Sequence, residues 1–155
     1  MKKFEFSLNR IRAYKKTLLD REKNVLAGLI MEQNNINDRL VQLEKDFEDI
    51  NNEMHEKMQE GLDISSIKIY EFRKNGVREE KRVLNDRLDF LDTSIRRQQS
   101  RVANLKQEVN GYDKLEEKQR EEYNKEVAKE QENVIAEFVS QKMTKELNET
   151  TSKQT

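Results

Sequence analysis

The side chains that most often carry chemistry are scarce or scattered in this chain. His55 is the sole histidine and there is no cysteine, so no set of imidazole and thiolate ligands can close around a zinc ion. Disulfides and thiol catalysis are excluded with the cysteines. Carboxylates are abundant, as in Glu116-Glu117 and Glu121-Glu122. General acid–base work, however, needs a desolvated pocket that drives the pKa values of two such groups apart. Glu121 and Lys125 instead stand four residues apart, the spacing of a solvated ion pair along a helix. No phosphate-binding G-x-x-x-x-G-K run and no dinucleotide-type glycine cluster is present. Arg96, Arg97 and Arg101 form a small basic cluster, for which pairing with acidic residues of the first half such as Glu32 is expected. Lys and Arg number 30 against 31 Asp and Glu, a formal charge of −1, whereas nucleic-acid binding needs a net basic face. The expectation is a chain with no catalytic residue, no metal, no cofactor and no nucleic-acid partner.

What the residues do specify is a pair of long helices. Leu84, Leu88, Leu91, Ile95, Gln98, Val102, Leu105, Val109 and Tyr112 follow one another at alternating spacings of four and three. That is a coiled-coil seam with one polar layer, Gln98, and so narrow a stripe is buried only against another helix. The first half carries a second seam: Leu8, Ile11, Lys15, Leu18, Glu22, Val25 and Leu29, then Leu40, Leu43, Phe47, Ile50 and Met54. The eleven-residue step from Leu29 to Leu40 reads as a stutter, a local unwinding of the supercoil. Composition agrees. Of 155 residues, 39% are charged and 34% hydrophobic, and none is proline, which suits long exposed helices rather than a compact core.

Between the seams stands Glu60-Gly61-Leu62-Asp63-Ile64-Ser65-Ser66. Gly61 can end one helix in the left-handed conformation, and Asp63, Ser65 or Ser66 can cap the next. A connection this short favours antiparallel neighbours. Folding back near residue 62 pairs residues whose numbers sum to roughly 124, because both helices rise equally per residue. Met54 then meets Tyr70, Phe47 meets Val77, Leu40 meets Leu84 and Leu18 meets Leu105. The expected fold is all-α: two long helices in an antiparallel coiled-coil hairpin with a C-terminal helical overhang. Helix 1 is expected over about 5–58, the turn over about 59–65, helix 2 over about 66–143 and a disordered tail over 144–155.

Helix 1 is used up near Phe4, which leaves helix 2 without a partner from about Glu116 onward. Its stripe nevertheless continues through Tyr123, Val127, Val134, Ile135, Phe138 and Val139, and an uncovered amphipathic helix is a docking element. Tyr70 and Phe72, two apart, cannot both face the seam, so one of them is expected at the surface. The basic start Met1-Lys2-Lys3 is not followed by an apolar core, so no signal peptide is expected. The longest apolar stretch, Leu26 to Met31, is far short of the roughly 20 residues that span a bilayer, and a cytoplasmic location follows.

The opening Phe4-x-Phe6-x-Leu8-x-x-Ile11 resembles the start of the flagellar export protein FliJ family. So does Gly61 followed by Tyr70 in a Y-x-F setting. The run Lys114-Leu115-Glu116-Glu117-Lys118-Gln119-Arg120-Glu121-Glu122-Tyr123, then Glu130-Gln131, is similar to that family's C-terminal helix signature. The resemblance covers about residues 2–143. It departs where the family tends to a Lys after the Glu-Gln pair and an Asp-Glu a few residues on; Glu132 and Ala136-Glu137 stand here instead. The resemblance implies a non-enzymatic part of the flagellar type III export apparatus, an antiparallel coiled coil like the central stalk of rotary ATPases. Its implied partners are the hexameric export ATPase FliI, the export gate protein FlhA and export chaperones, at the cytoplasmic side of the inner membrane at the flagellar base.

Under that reading the overhang residues Tyr123, Val127, Val134, Ile135 and Phe138 are candidates for the ATPase ring. Leu43, Ile50, Tyr70, Phe72 and Val77, nearer the turn, are candidates for the gate. The free chain is expected to be a monomer without stable membrane insertion. Two rival readings are a generic coiled coil that dimerises through the same seams and a helix associated with RNA or membrane.

Overall fold

In a computed structural model, which describes residues 1–154, two helices account for nearly the whole chain: α1 over Asn9–Glu60 and α2 over Ile64–Ser152. Gly61 alone among the described residues has positive φ, at 94°. Its amide donates to the Met58 carbonyl at 3.3 Å, closing α1 in the left-handed conformation that glycine adopts without a Cβ penalty. Asp63 then caps α2, its Oδ1 accepting from the Ser66 backbone N–H at 3.0 Å. Hydrogen bonds from the Ser66 side chain and then from the Ser66 backbone N–H hold the Asp63 carboxyl below its ordinary value, because donors aimed at a carboxylate favour its ionised form.

The chain divides into two units, residues 16–106 and residues 1–15 with 107 onward. In the first, α1 and α2 lie antiparallel against each other. Leu43, Ile50, Met54, Tyr70 and Val77 form one buried cluster, with Leu40, Phe47, Leu62 and Leu84 packed against it. Leu91 and Leu43 are the most deeply enclosed side chains, at 0% and 1% exposure. Burying each contributes about 2 kcal/mol. Two cross-helix pairs keep the constant sum of a hairpin closing at residue 62, with Tyr70 Oη donating to Glu53 at 3.2 Å and Gln33 to Asp92 at 3.0 Å. The long Arg39 side chain reaches further toward the turn to donate to Glu80 at 2.8 Å.

The α1 seam differs from expectation in a way that simplifies it. Leu19, Glu22, Leu26, Leu29, Gln33, Ile36, Leu40, Leu43, Phe47, Ile50 and Met54 are all buried or half-buried, at alternating spacings of three and four throughout. There is no stutter. Gln33 supplies the layer that looked missing, its amide meeting Asp92 across the seam. Val25 is exposed and Leu26 takes the inward place. A polar residue in a seam position and an apolar one beside it shift the apparent stripe by one residue without shifting the helix.

The α2 seam likewise runs on through charged residues. Lys74 is buried, its Nζ 5.5 Å from the centre of the Phe47 ring and 3.4 Å from Glu71. Gln98 is buried too. Its amide donates to the Glu22 backbone carbonyl at 2.9 Å and also reaches the Glu22 carboxylate. The expected polar layer therefore exists and has a counterpart in α1, which fixes one register. Gly76 and Gly111 leave α2 unbroken, at a propensity cost of about 1 kcal/mol each. The basic cluster pairs differently from expectation: Glu32 meets Arg87 at 2.7 Å, and Arg101 lies 3.8 Å from Glu22. Arg87, not the Arg96–Arg97 pair, occupies the seam-flanking position opposite Glu32.

In the second unit, α1 starts at Asn9 rather than near residue 5. Residues 1–6 are a non-helical strap, because Phe6 is buried under the Arg12 guanidinium, 4.9 Å from its ring centre, and the Phe6 carbonyl accepts from the Asn9 amide at 3.1 Å. Ile11 is exposed and Arg12 faces α2 in its place, paired with Glu116 and, at 3.2 Å, with Asp113. Lys15 meets Glu108 at 2.8 Å. At the other end the helix passes the expected stop near 143 and continues to Ser152. No proline or glycine interrupts it, and the Thr144 and Thr150 hydroxyls donate to the carbonyls four residues back. Of the residues expected in a disordered tail, Thr155 lies outside those described.

Candidate docking surfaces

The first surface is built from the strap and the far part of α2. Phe4 packs on Tyr123 with ring centres 5.5 Å apart and planes tilted by 50°, and the Arg120 guanidinium sits over the Phe4 ring, 4.8 Å from its centre. The Tyr123 hydroxyl donates to the Lys2 carbonyl at 2.7 Å. A tilted aromatic pair, a cation over a ring and one hydrogen bond to the backbone thus tie an irregular segment to a helix. Arg12 and Arg120 both reach Glu116, and the Arg12 hydrogen bond in particular holds that carboxyl below its ordinary value.

Tyr123 and Val127 are consequently half-covered by the chain's own N-terminal residues. The helix is not bare from Glu116, as expected, but only past Val127. A shallow groove remains between Met1 and α2, lined by Tyr123, Val127, Gln131, Val134 and Ile135. Val134, Ile135 and Phe138 are exposed, Phe138 at 67%. From residue 128 to residue 154 no side chain is buried or half-buried. The five candidates for the ring therefore form one face, two of its members partly covered and three free. Met1 and Phe4 belong to the same surface. They were missed because the helical pattern was extended back to residue 5, although two phenylalanines two apart fit a helix face poorly.

The five candidates for the gate divide. Leu43, Ile50, Tyr70 and Val77 lie inside the hairpin's own core. A partner would reach them only by opening the hairpin, because seam residues are the ones that hold the two helices together. Phe72 alone is presented to solvent, at 79% exposure, which resolves the Tyr70–Phe72 pair as Tyr70 in and Phe72 out. Phe72 has company: Ile69, Val83 and Phe90 are also exposed on α2. Ile69, Gly76, Val83 and Phe90 recur at seven-residue steps off the seam, a signal present in the sequence and overshadowed by the stronger seam. Seven residues make nearly two turns, so these side chains share a face.

Among the described residues no group of three or more His, Cys, Asp or Glu side chains could hold a metal ion. No helix there is long and apolar enough to cross a membrane.

Comparison with known families places residues 4–148 on the model described as the flagellar FliJ protein. Comparison with curated proteins and with solved structures gave no match. The match takes in α1, the turn, half of the strap and α2 as far as residue 148, the exposed stripe included. The chain belongs to the flagellar FliJ family, and it is a non-enzymatic component of the flagellar export apparatus.

Proposed function

We propose that the chain is a stalk and adaptor within that apparatus. The strap and the α2 face from Tyr123 to Phe138 dock in the ring of the export ATPase FliI and promote its assembly and activity. The α2 face carrying Phe72 meets the export gate protein FlhA, and export chaperones bind the same adaptor. It works on the cytoplasmic side of the inner membrane at the flagellar base. One observation carries the reading: Val134, Ile135 and Phe138 stay exposed on a helix whose neighbouring segment in the same unit reaches no further than the groove beside Met1. An amphipathic helix face left uncovered by its own chain is suited to lie in a partner's groove.

The seams of both helices are satisfied within one chain, which supports a monomer when free. A coiled coil that dimerises through the same seams would instead weigh two chains in light scattering. Adding the chain to its cognate ATPase is expected to raise the hydrolysis rate. Replacing Val134 and Phe138 together by serine is expected to remove most of that gain, while circular dichroism keeps the wild-type helical signal. An unchanged hydrolysis rate with the wild-type chain counts against the stalk role.

A further inference from the structure

We infer that the surface received by the α2 stripe is a helix whose apolar face is edged with lysine or arginine. This rests on the docking reading above and adds the chemistry of the partner. Val127, Val134 and Phe138 lie along one line of α2. At about 100° per residue, Glu126, Glu130 and Glu137 fall along one edge of that line, and Lys125 and Lys129 fall on the far side. Residues 121–138 hold six glutamates and two lysines.

The covered part of the same helix shows what such an edge requires. There α2 presents Glu108, Asp113 and Glu116, and the segment lying against it answers with Lys15 and Arg12. Past the strap, Glu126, Glu130 and Glu137 add further carboxylates beside the apolar line, and no answering cations accompany them. Among the described residues, the ion pairs of α2 end with Arg120 and Glu116, leaving Glu126, Glu130 and Glu137 exposed and unpaired. A partner helix bringing cations to that edge continues the arrangement already used within the chain. An anionic lipid surface would be repelled by it.

Complementary charge speeds association and is screened by salt. The test titrates the full chain into the cognate export ATPase at low and at moderate salt. The wild type is expected to bind several-fold more weakly as salt rises. The variant E126K/E130K/E137K is expected to bind at least about tenfold more weakly at low salt and to lose the salt dependence. The neutral variant E126Q/E130Q/E137Q is expected to fall between the two, with helicity unchanged in both. Wild-type-like affinity of the lysine variant would overturn the inference while leaving the docking reading intact. No binding by the wild type at either salt would overturn the docking reading itself. A two-chain particle in light scattering that the lysine variant reduces to one chain would make a second copy the occupant, and so overturn the inference.

Discussion

Gln98 shows how much of this protein depends on single side chains in the seam. It sits between Ile95 and Val102, in a stripe otherwise apolar over many turns, and its amide is taken up by Glu22 of the other helix. That role was legible, because one glutamine in an otherwise unbroken heptad run stands out. Arg12, Gln33 and Lys74 do equivalent work and were not legible. Each is a polar or charged type in a seam position, flanked by apolar residues that look better suited to it. What admits them is local: Phe6 under Arg12, Asp92 beside Gln33, and Phe47 under Lys74. Long cationic side chains bury their stems and keep their charge on a ring or a carboxylate. The apolar layers carry the stability. Leu91 has no exposed surface at all, so Leu91→Ala is expected to cost about 3 kcal/mol, read as a lower urea midpoint. A midpoint equal to wild type would mean that α1 and α2 do not enclose this residue.

At the scale of elements, the turn and the pairing of the two helices followed from few residues. Gly61 and Asp63 bracket a connection too short for anything but an antiparallel return, and both do what their types allow: a positive φ and a cap. The strap was hidden because Phe4, Phe6 and Leu8 can be read as the start of a helical stripe. Only their contacts show that they are not: Phe4 with Tyr123, far along the chain, and Phe6 with Arg12 of the first helical turn.

The flanks of the seam are ionic and make the pairing of the elements pH-dependent. Arg87, Arg39 and Arg12 hydrogen-bond Glu32, Glu80 and Glu116 respectively and hold each carboxyl below the ordinary value of 4.5. A carboxylate held low in the folded state stabilises the fold at every pH above its ordinary value. That contribution drains away as the pH falls through the folded value. The thermal midpoint is therefore expected to be flat from pH 7 to about pH 5 and to fall below about pH 4.5. These groups lie at the surface, so the drop is modest, and salt weakens the effect. A midpoint that rises on acidification would contradict the assigned pairs.

For the molecule as a whole, a chain without proline and with 39% charged residues suits long exposed helices. The family match over residues 4–148 agrees. The two-helix hairpin could be read from the heptads because coiled-coil spacing is a direct statement about which side chains meet. Sites of contact with other proteins are harder, because an apolar residue in the pattern does not say whether its own chain covers it. That is why Leu43, Ile50, Tyr70 and Val77 turned out to be core, while Phe138 and Phe72 are presented to solvent. The difference between a seam and a docking face lies in the partner segment: α1 and the strap cover α2 as far as Val127 and leave Val134 onward exposed.

The most direct measurement is site-specific photo-crosslinking in the presence of the ATPase and the gate protein. A benzophenone-bearing phenylalanine is placed at Phe138 or at Phe90, one position at a time, in the full chain. The expected result is an adduct with the ATPase from position 138 and none with it from position 90. An ATPase adduct from position 90 with none from position 138 would contradict the assignment of the α2 stripe as the ATPase-docking face.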